Sequence, residues 1–137
     1  MTGFVVVPEG GDRYRVSVRG HHVVVDQPVG DGGEDAGPTP TELFVTGLAA
    51  CVAFYGGRYL ARHGIDPEGF EVEGGFEFSS DRPARVARVL LEVRAPFALP
   101  QDRWAALRAV VEHCTVHNSI RRPPEIEIAV VAAERAA

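Results

Sequence analysis

The sequence predicts an α+β domain, and three observations support that prediction. Short runs with period-two apolar alternation fill the first quarter of the chain, and one long, strongly capped apolar helix follows. Further strand runs then flank a second helical stripe, giving the order βββ, α, ββ, α, β. A length of 137 residues suits a single domain covering 1–137.

The first strands are Phe4 to Val7, Arg13 to Arg19 and His22 to Asp26, separated by the turn signals Glu9-Gly10-Gly11-Asp12 and Gly20. In the second run Tyr14, Val16 and Val18 alternate with Arg13, Arg15, Ser17 and Arg19, so one face is apolar and the other basic. Gln27 to Pro38, with Gly30, Gly32, Gly33 and Gly37, reads as an irregular loop.

Thr39-Pro40-Thr41-Glu42 starts a helix: Thr39 is the N-cap, proline holds the first helical position and Glu42 closes a capping box. The helix runs to about Arg62 and stops at Gly64. Leu43, Phe44, Val45, Leu48, Val52, Phe54, Tyr55 and Leu60 spread around its circumference, which predicts a central, surrounded helix. Strands resume at Phe70 to Ser79 and Val86 to Ala95, with Gly74-Gly75 placed for a bulge. After Pro100, the residues Trp104, Leu107, Val110, Val111 and Cys114 keep helical spacing, one apolar stripe ending in a thiol. Glu125 to Val131 alternates again as a closing strand.

The charge of -5, with 14 basic residues scattered among 19 acidic ones, forms no stripe for a phosphate backbone, so nucleic acid is not an expected partner. The start MTGFVVVPEGGDRYR has no basic n-region and no long apolar stretch, so a cytoplasmic location is expected. The apolar run Leu43 to Tyr55, interrupted by Thr46 and Gly47, is shorter than a bilayer crossing, so no membrane partner is expected either. Cys51 and Cys114 are the only cysteines. A reducing compartment argues against a structural disulfide. Their separation of 63 positions excludes a Cys-x-x-Cys motif and a paired zinc knuckle.

Taken alone, the two thiols read as small buried hydrophobes. Their flanks point to chemistry. Gly37-Pro38-Thr39-Pro40-Thr41-Glu42-Leu43 and Gly47-Leu48-Ala49-Ala50-Cys51 surround the first, and His113-Cys114-Thr115-Val116-His117-Asn118-Ser119-Ile120 the second. With the element order and the cysteine separation, these segments resemble the OsmC/Ohr family, the osmotically inducible and organic hydroperoxide resistance proteins.

The resemblance implies antiparallel sheets wrapped around a long central helix in an intertwined homodimer, with two active sites at the subunit interface. It makes Cys51 the peroxidatic and Cys114 the resolving cysteine of a thiol peroxidase acting on organic hydroperoxides. Sulfenic acid formation followed by disulfide condensation needs no metal or organic cofactor. Reducing power then comes from an external dithiol, for which the resemblance suggests a lipoylated protein. Family members steady the thiolate with an arginine from an early strand. Arg13 and Arg15 lie in that stretch, and each reads equally well as part of a solvated strand face. Arg58, seven residues beyond Cys51 and roughly 10 Å along the axis, is a poor substitute. In family members a glutamate pairs with the arginine one place earlier than Glu42, where this chain has Thr41. Glu42 itself lies nine positions before Cys51 on the opposite side of the helix and suits the cap, and it stays a candidate catalytic residue as well, since both roles hold where the helix start projects toward an arginine.

His113 and His117 flank Cys114 at a spacing of four, without a carboxylate or further cysteine to complete a metal site. Thr115 stands where many family members have proline. Phe44, Gly47, Leu48, Phe54 and Tyr55 share a broad face with Cys51, which predicts apolar walls for an organic tail. The competing reading is a non-enzymatic dimer that binds a hydrophobic small molecule and merely packs its cysteines.

Overall fold

The computed structural model describes residues 1–136 and is α+β, with two small antiparallel sheets and three α-helices. Strands β1 (Val5–Gly10), β2 (Arg13–Val18) and β3 (His21–Val25) form the first sheet in the order β1-β2-β3. Val16 lies opposite Val6 on one side and Val23 on the other, so the predicted apolar alternation becomes a cross-strand valine row.

The glycine-rich loop after β3 is more ordered than its composition predicts. Asp26, only 1% exposed, accepts hydrogen bonds from the backbone N–H groups of Gln27 (2.7 Å), Ala36 (3.0 Å) and Glu34 (3.2 Å). Its own N–H donates to the Pro38 carbonyl at 3.1 Å, closing the loop at its base. A Cβ at Gly37 would collide with the Val24 carbonyl, so the loop needs glycine there to lie against β3.

Helix α1 (Pro40–Arg62) starts as predicted. The Thr39 hydroxyl accepts from the Glu42 N–H at 3.1 Å, and the Glu42 carboxylate accepts from the Thr39 N–H at 2.8 Å. Its 23 residues match a membrane span in length and apolarity, beyond what the shorter Leu43 to Tyr55 run predicts. Within this chain, however, α1 is not surrounded. Val45, Leu48, Val52, Gly56, Tyr59 and Leu60 are buried, while Phe44, Ala50 and Phe54 on the other side are exposed.

The second sheet is the hairpin of β4 (Glu71–Phe78) and β5 (Val86–Arg94). Gly74 and Gly75 pair regularly with Leu91 and Leu90; the irregularity falls between Glu77 and Phe78 instead of at the glycines. Helix α2 (Trp104–Val111) follows a 3₁₀ turn at Gln101–Arg103. The predicted single stripe to Cys114 breaks after Val111, and a third helix, α3 (Thr115–Arg121), begins with Cys114 as its N-cap. The expected closing strand at Glu125 to Val131 does not form: the segment pairs with no strand among the described residues, and its side chains are exposed. Ile126, Ile128 and Val130 are therefore left exposed.

The core lies between α1, α2, α3 and the β4–β5 hairpin, built from Leu48, Val52, Tyr59, Leu60, Leu99, Leu107, Val111 and Cys114. The first sheet makes no extensive contact with α1 or the hairpin.

Candidate active site

Two elements bring the thiols together. On α1, Val52 points into the core, which leaves Cys51 half-buried at its border. Beyond α2 the backbone turns at Glu112-His113 and enters α3 through Cys114, whose extended φ/ψ of -71° and 154° suit an N-cap. Cys114 has 0% exposure. Both cysteines are free thiols.

Consecutive backbone N–H groups of α3 serve the two sulfurs. His117 N–H donates to Cys114 Sγ at 3.3 Å, and Val116 N–H donates to Cys51 Sγ at 3.5 Å. Burial pushes the Cys114 thiol above its ordinary pKa; the Val116 and His117 N–H groups pull it down, while the Cys51 sulfur raises it by hydrogen bonding and by charge. A negative charge on Cys51 therefore disfavours a second one on Cys114. The arrangement suits one partly exposed nucleophile and one protected thiol held beside it.

One hydroxyl pair, missed by sequence reasoning, fastens this arrangement. Tyr55, one turn beyond Cys51, places its Oη 2.6 Å from Thr115 Oγ1. Thr115 thus anchors α3 to α1. The i, i+4 spacing of Cys51 and Tyr55 was visible, but their α3 partner was not.

The remaining candidates lie elsewhere within this chain. Arg13 pairs with Glu34 at 3.0 Å and donates to the Glu9 carbonyl; Arg15 pairs with the Glu9 carboxylate at 3.3 Å. Both sit on β2, whose sheet makes no extensive contact with α1. Glu42 is engaged in the capping box. Arg58 lies over the Phe54 ring, 4.9 Å from its centroid. His113 Nδ1 bonds the Ala109 carbonyl at 2.7 Å.

The expected apolar walls around Cys51 are only partly assembled. Space above Gly47 is open, Phe44 and Phe54 are exposed, and Leu48 turns the other way, into a cavity of about 620 Å³ that neither sulfur lines.

A family model described as OsmC-like protein matches residues 32–129. No curated protein matches the chain. Among solved structures, one similar protein comes from Psychrobacter arcticus and is described as an osmotic stress induced and detoxification response protein. It is 25% identical with a TM-score of 0.77, covering 87% of this chain and 88% of that one. The organic hydroperoxide resistance protein OsmC from Legionella pneumophila is 22% identical with a TM-score of 0.64, covering 87% and 89%. An OsmC-like protein from Vibrio cholerae shares the fold at 10% identity and a TM-score of 0.66, covering 87% and 92%.

Proposed function

The chain belongs to the OsmC-like protein family, and from that premise we propose that it reduces organic hydroperoxides with Cys51 and Cys114 in the cytoplasm. The observation that carries this reading is the pairing of the only two thiols, one partly exposed and one fully buried, on adjacent N–H donors of one helix start.

The Cys51 thiolate attacks the distal oxygen of the hydroperoxide, the O–O bond breaks, and the alkoxide leaves as an alcohol after taking a proton. Cys51 is then a sulfenic acid. The Cys114 sulfur attacks it, water departs and a Cys51–Cys114 disulfide remains. An external dithiol, for which a lipoylated protein is the proposed source, returns both cysteines to thiols. Neither a metal nor an organic cofactor enters this cycle.

A homodimer is part of the proposal. Arg13 and Arg15 stand on a sheet that leaves its own α1 uncovered, so the cation beside Cys51 is assigned to the partner's copy of that sheet. Phe44 and Phe54 then complete the apolar surroundings of Cys51 from one protomer while the partner closes the opposite side. Each methylene buried there contributes about 0.8 kcal/mol, roughly a four-fold gain per carbon over hydrogen peroxide, which offers no apolar surface.

The test is peroxide consumption with a fixed dithiol, read alongside free-thiol titration. Two thiols should disappear per protein on adding cumene hydroperoxide, and kcat/KM should exceed that for hydrogen peroxide. Cys51→Ser should abolish turnover, whereas Cys114→Ser should leave a sulfenic acid trappable at Cys51. Equal activity in both variants, or thiols indifferent to peroxide, would defeat the reading.

A further inference from the structure

The cavity that Leu48 faces is a second recessed surface, separate from the thiols. Its walls are Leu48 and Val52 of α1, Val89, Leu91 and Val93 of β5, and Leu107 and Val111 of α2. At about 620 Å³ it falls within the usual range for a small-molecule site. Polar chemistry enters through a few lining residues, Arg108, Glu112 and His117, together with the half-exposed Trp104.

The charges around this apolar space are unequal in what they leave free. The Glu112 carboxylate is committed to Arg108, whose Nε donates to it at 2.9 Å across one helical turn. Both terminal amino groups of Arg108 make no hydrogen bond among the described residues. A guanidinium edge with two parallel N–H donors matches a carboxylate in two-point geometry, and the neighbouring imidazole of His117 adds no negative charge. An apolar interior with one solvent-facing cationic fork at its edge matches a molecule with a long apolar body and a single terminal carboxylate.

We propose that this cavity binds a long-chain carboxylate, with the chain between β5, α1 and α2 and its carboxylate on Arg108. His117 links it to the thiols, because the residue that lines the cavity also donates its backbone N–H to Cys114 Sγ. The site is independent of the peroxidase reading and does not require its ligand to be a peroxide.

Binding is measured by titrating the full chain with a fluorescent polyene fatty acid and, in parallel, with its methyl ester. The Cys51→Ser protein serves as a second host, so that loss of peroxidase chemistry and loss of binding are read separately. The acid should bind more tightly than the ester. Arg108 is well exposed, so Arg108→Gln should weaken the acid about five-fold, as for an exposed ion pair, and leave the ester unchanged. Arg108→Lys should restore part of the difference. Val93→Trp, which fills the cavity, should weaken both ligands. Equal binding of acid and ester, or an unchanged ratio in Arg108→Gln, would overturn the proposal. Failure of both ligands to bind the folded protein would overturn it too, and would point to a second copy or the chain's own 125–131 segment as the occupant.

Discussion

Two buried acids, a thiol and a carboxyl, show how single residues take opposite sides of the same balance. For Cys114, burial raises the thiol pKa, so the folded chain holds its proton where the unfolded chain has released it. Its contribution to stability is full below the unfolded value of about 8.5 and falls as pH rises above it. The loss of Tm on moving from neutral to alkaline pH should therefore be smaller in Cys114→Ala than in the wild type, as differential scanning calorimetry would show. For Asp26, the Ala36 N–H leads the groups that lower its carboxyl pKa, with Gln27, Glu34 and the charge of Arg13 acting in the same direction against desolvation. Here the contribution is present above the unfolded value and disappears as pH falls through the folded one. Asp26→Asn should lower Tm by several degrees at neutral pH and flatten the acid side of the stability curve. The sequence places Asp26 at the end of a strand. Its burial is not legible there, because its three donors are backbone groups of a loop that no side-chain pattern describes.

Among the elements, α1 shows how local chemistry and tertiary contact differ in legibility. Its start is fixed by Thr39, Pro40 and Glu42 within four residues, and those same residues form the observed cap. Its burial depends on what packs against it, and the apolar circumference reads as burial on all sides although one chain covers only one side. The Trp104 to Cys114 stripe fails for a related reason. Helical spacing continues through the turn, but a Cys114 side chain that accepts from the His117 N–H restarts the helix instead of ending it. By spacing alone the thiol pair was legible only as two cysteines 63 positions apart, and it was the resemblance of their flanks that joined them; the Tyr55–Thr115 contact that ties α3 to α1 beside them was not visible. Near the C-terminal end of α1, Tyr59 is 8% exposed and its buried hydroxyl has no hydrogen-bond partner among the described residues. Tyr59→Phe removes that group while keeping the ring against His63, so it should be neutral or stabilise by about 1 kcal/mol in urea unfolding. A clear destabilisation would mean that the hydroxyl finds a partner in the assembled protein.

On the scale of the whole molecule, the folded chain leaves much of its apolar patterning unused. Phe4 is 71% exposed and Phe54 54%, the first sheet stands off the core, and Ile126, Ile128 and Val130 alternate along an unpaired segment. Exposed apolar surface of this extent marks an interface. A second copy of the chain would supply what each of these features lacks: a sheet for the bare side of α1, a helix for the first sheet and an edge for residues 125–131. The alternation of Glu125 and Glu127 with Ile126 and Ile128 is the pattern of a strand with one covered face, and adding it to a partner's free sheet edge would satisfy its backbone hydrogen bonds as well. The expected species at micromolar concentration in sedimentation equilibrium is therefore a homodimer whose thermal transition rises with protein concentration. Deleting residues 125–137 leaves every core residue of the single chain in place, yet it should shift the equilibrium toward monomer and lower the transition temperature. Replacing Phe54 with glutamate should act in the same direction by placing a charge on the exposed side of α1. A compact wild-type monomer with a concentration-independent transition would instead mean that these apolar surfaces remain open to solvent, and the assignment of an arginine from the partner's sheet to Cys51 would fall with the dimer.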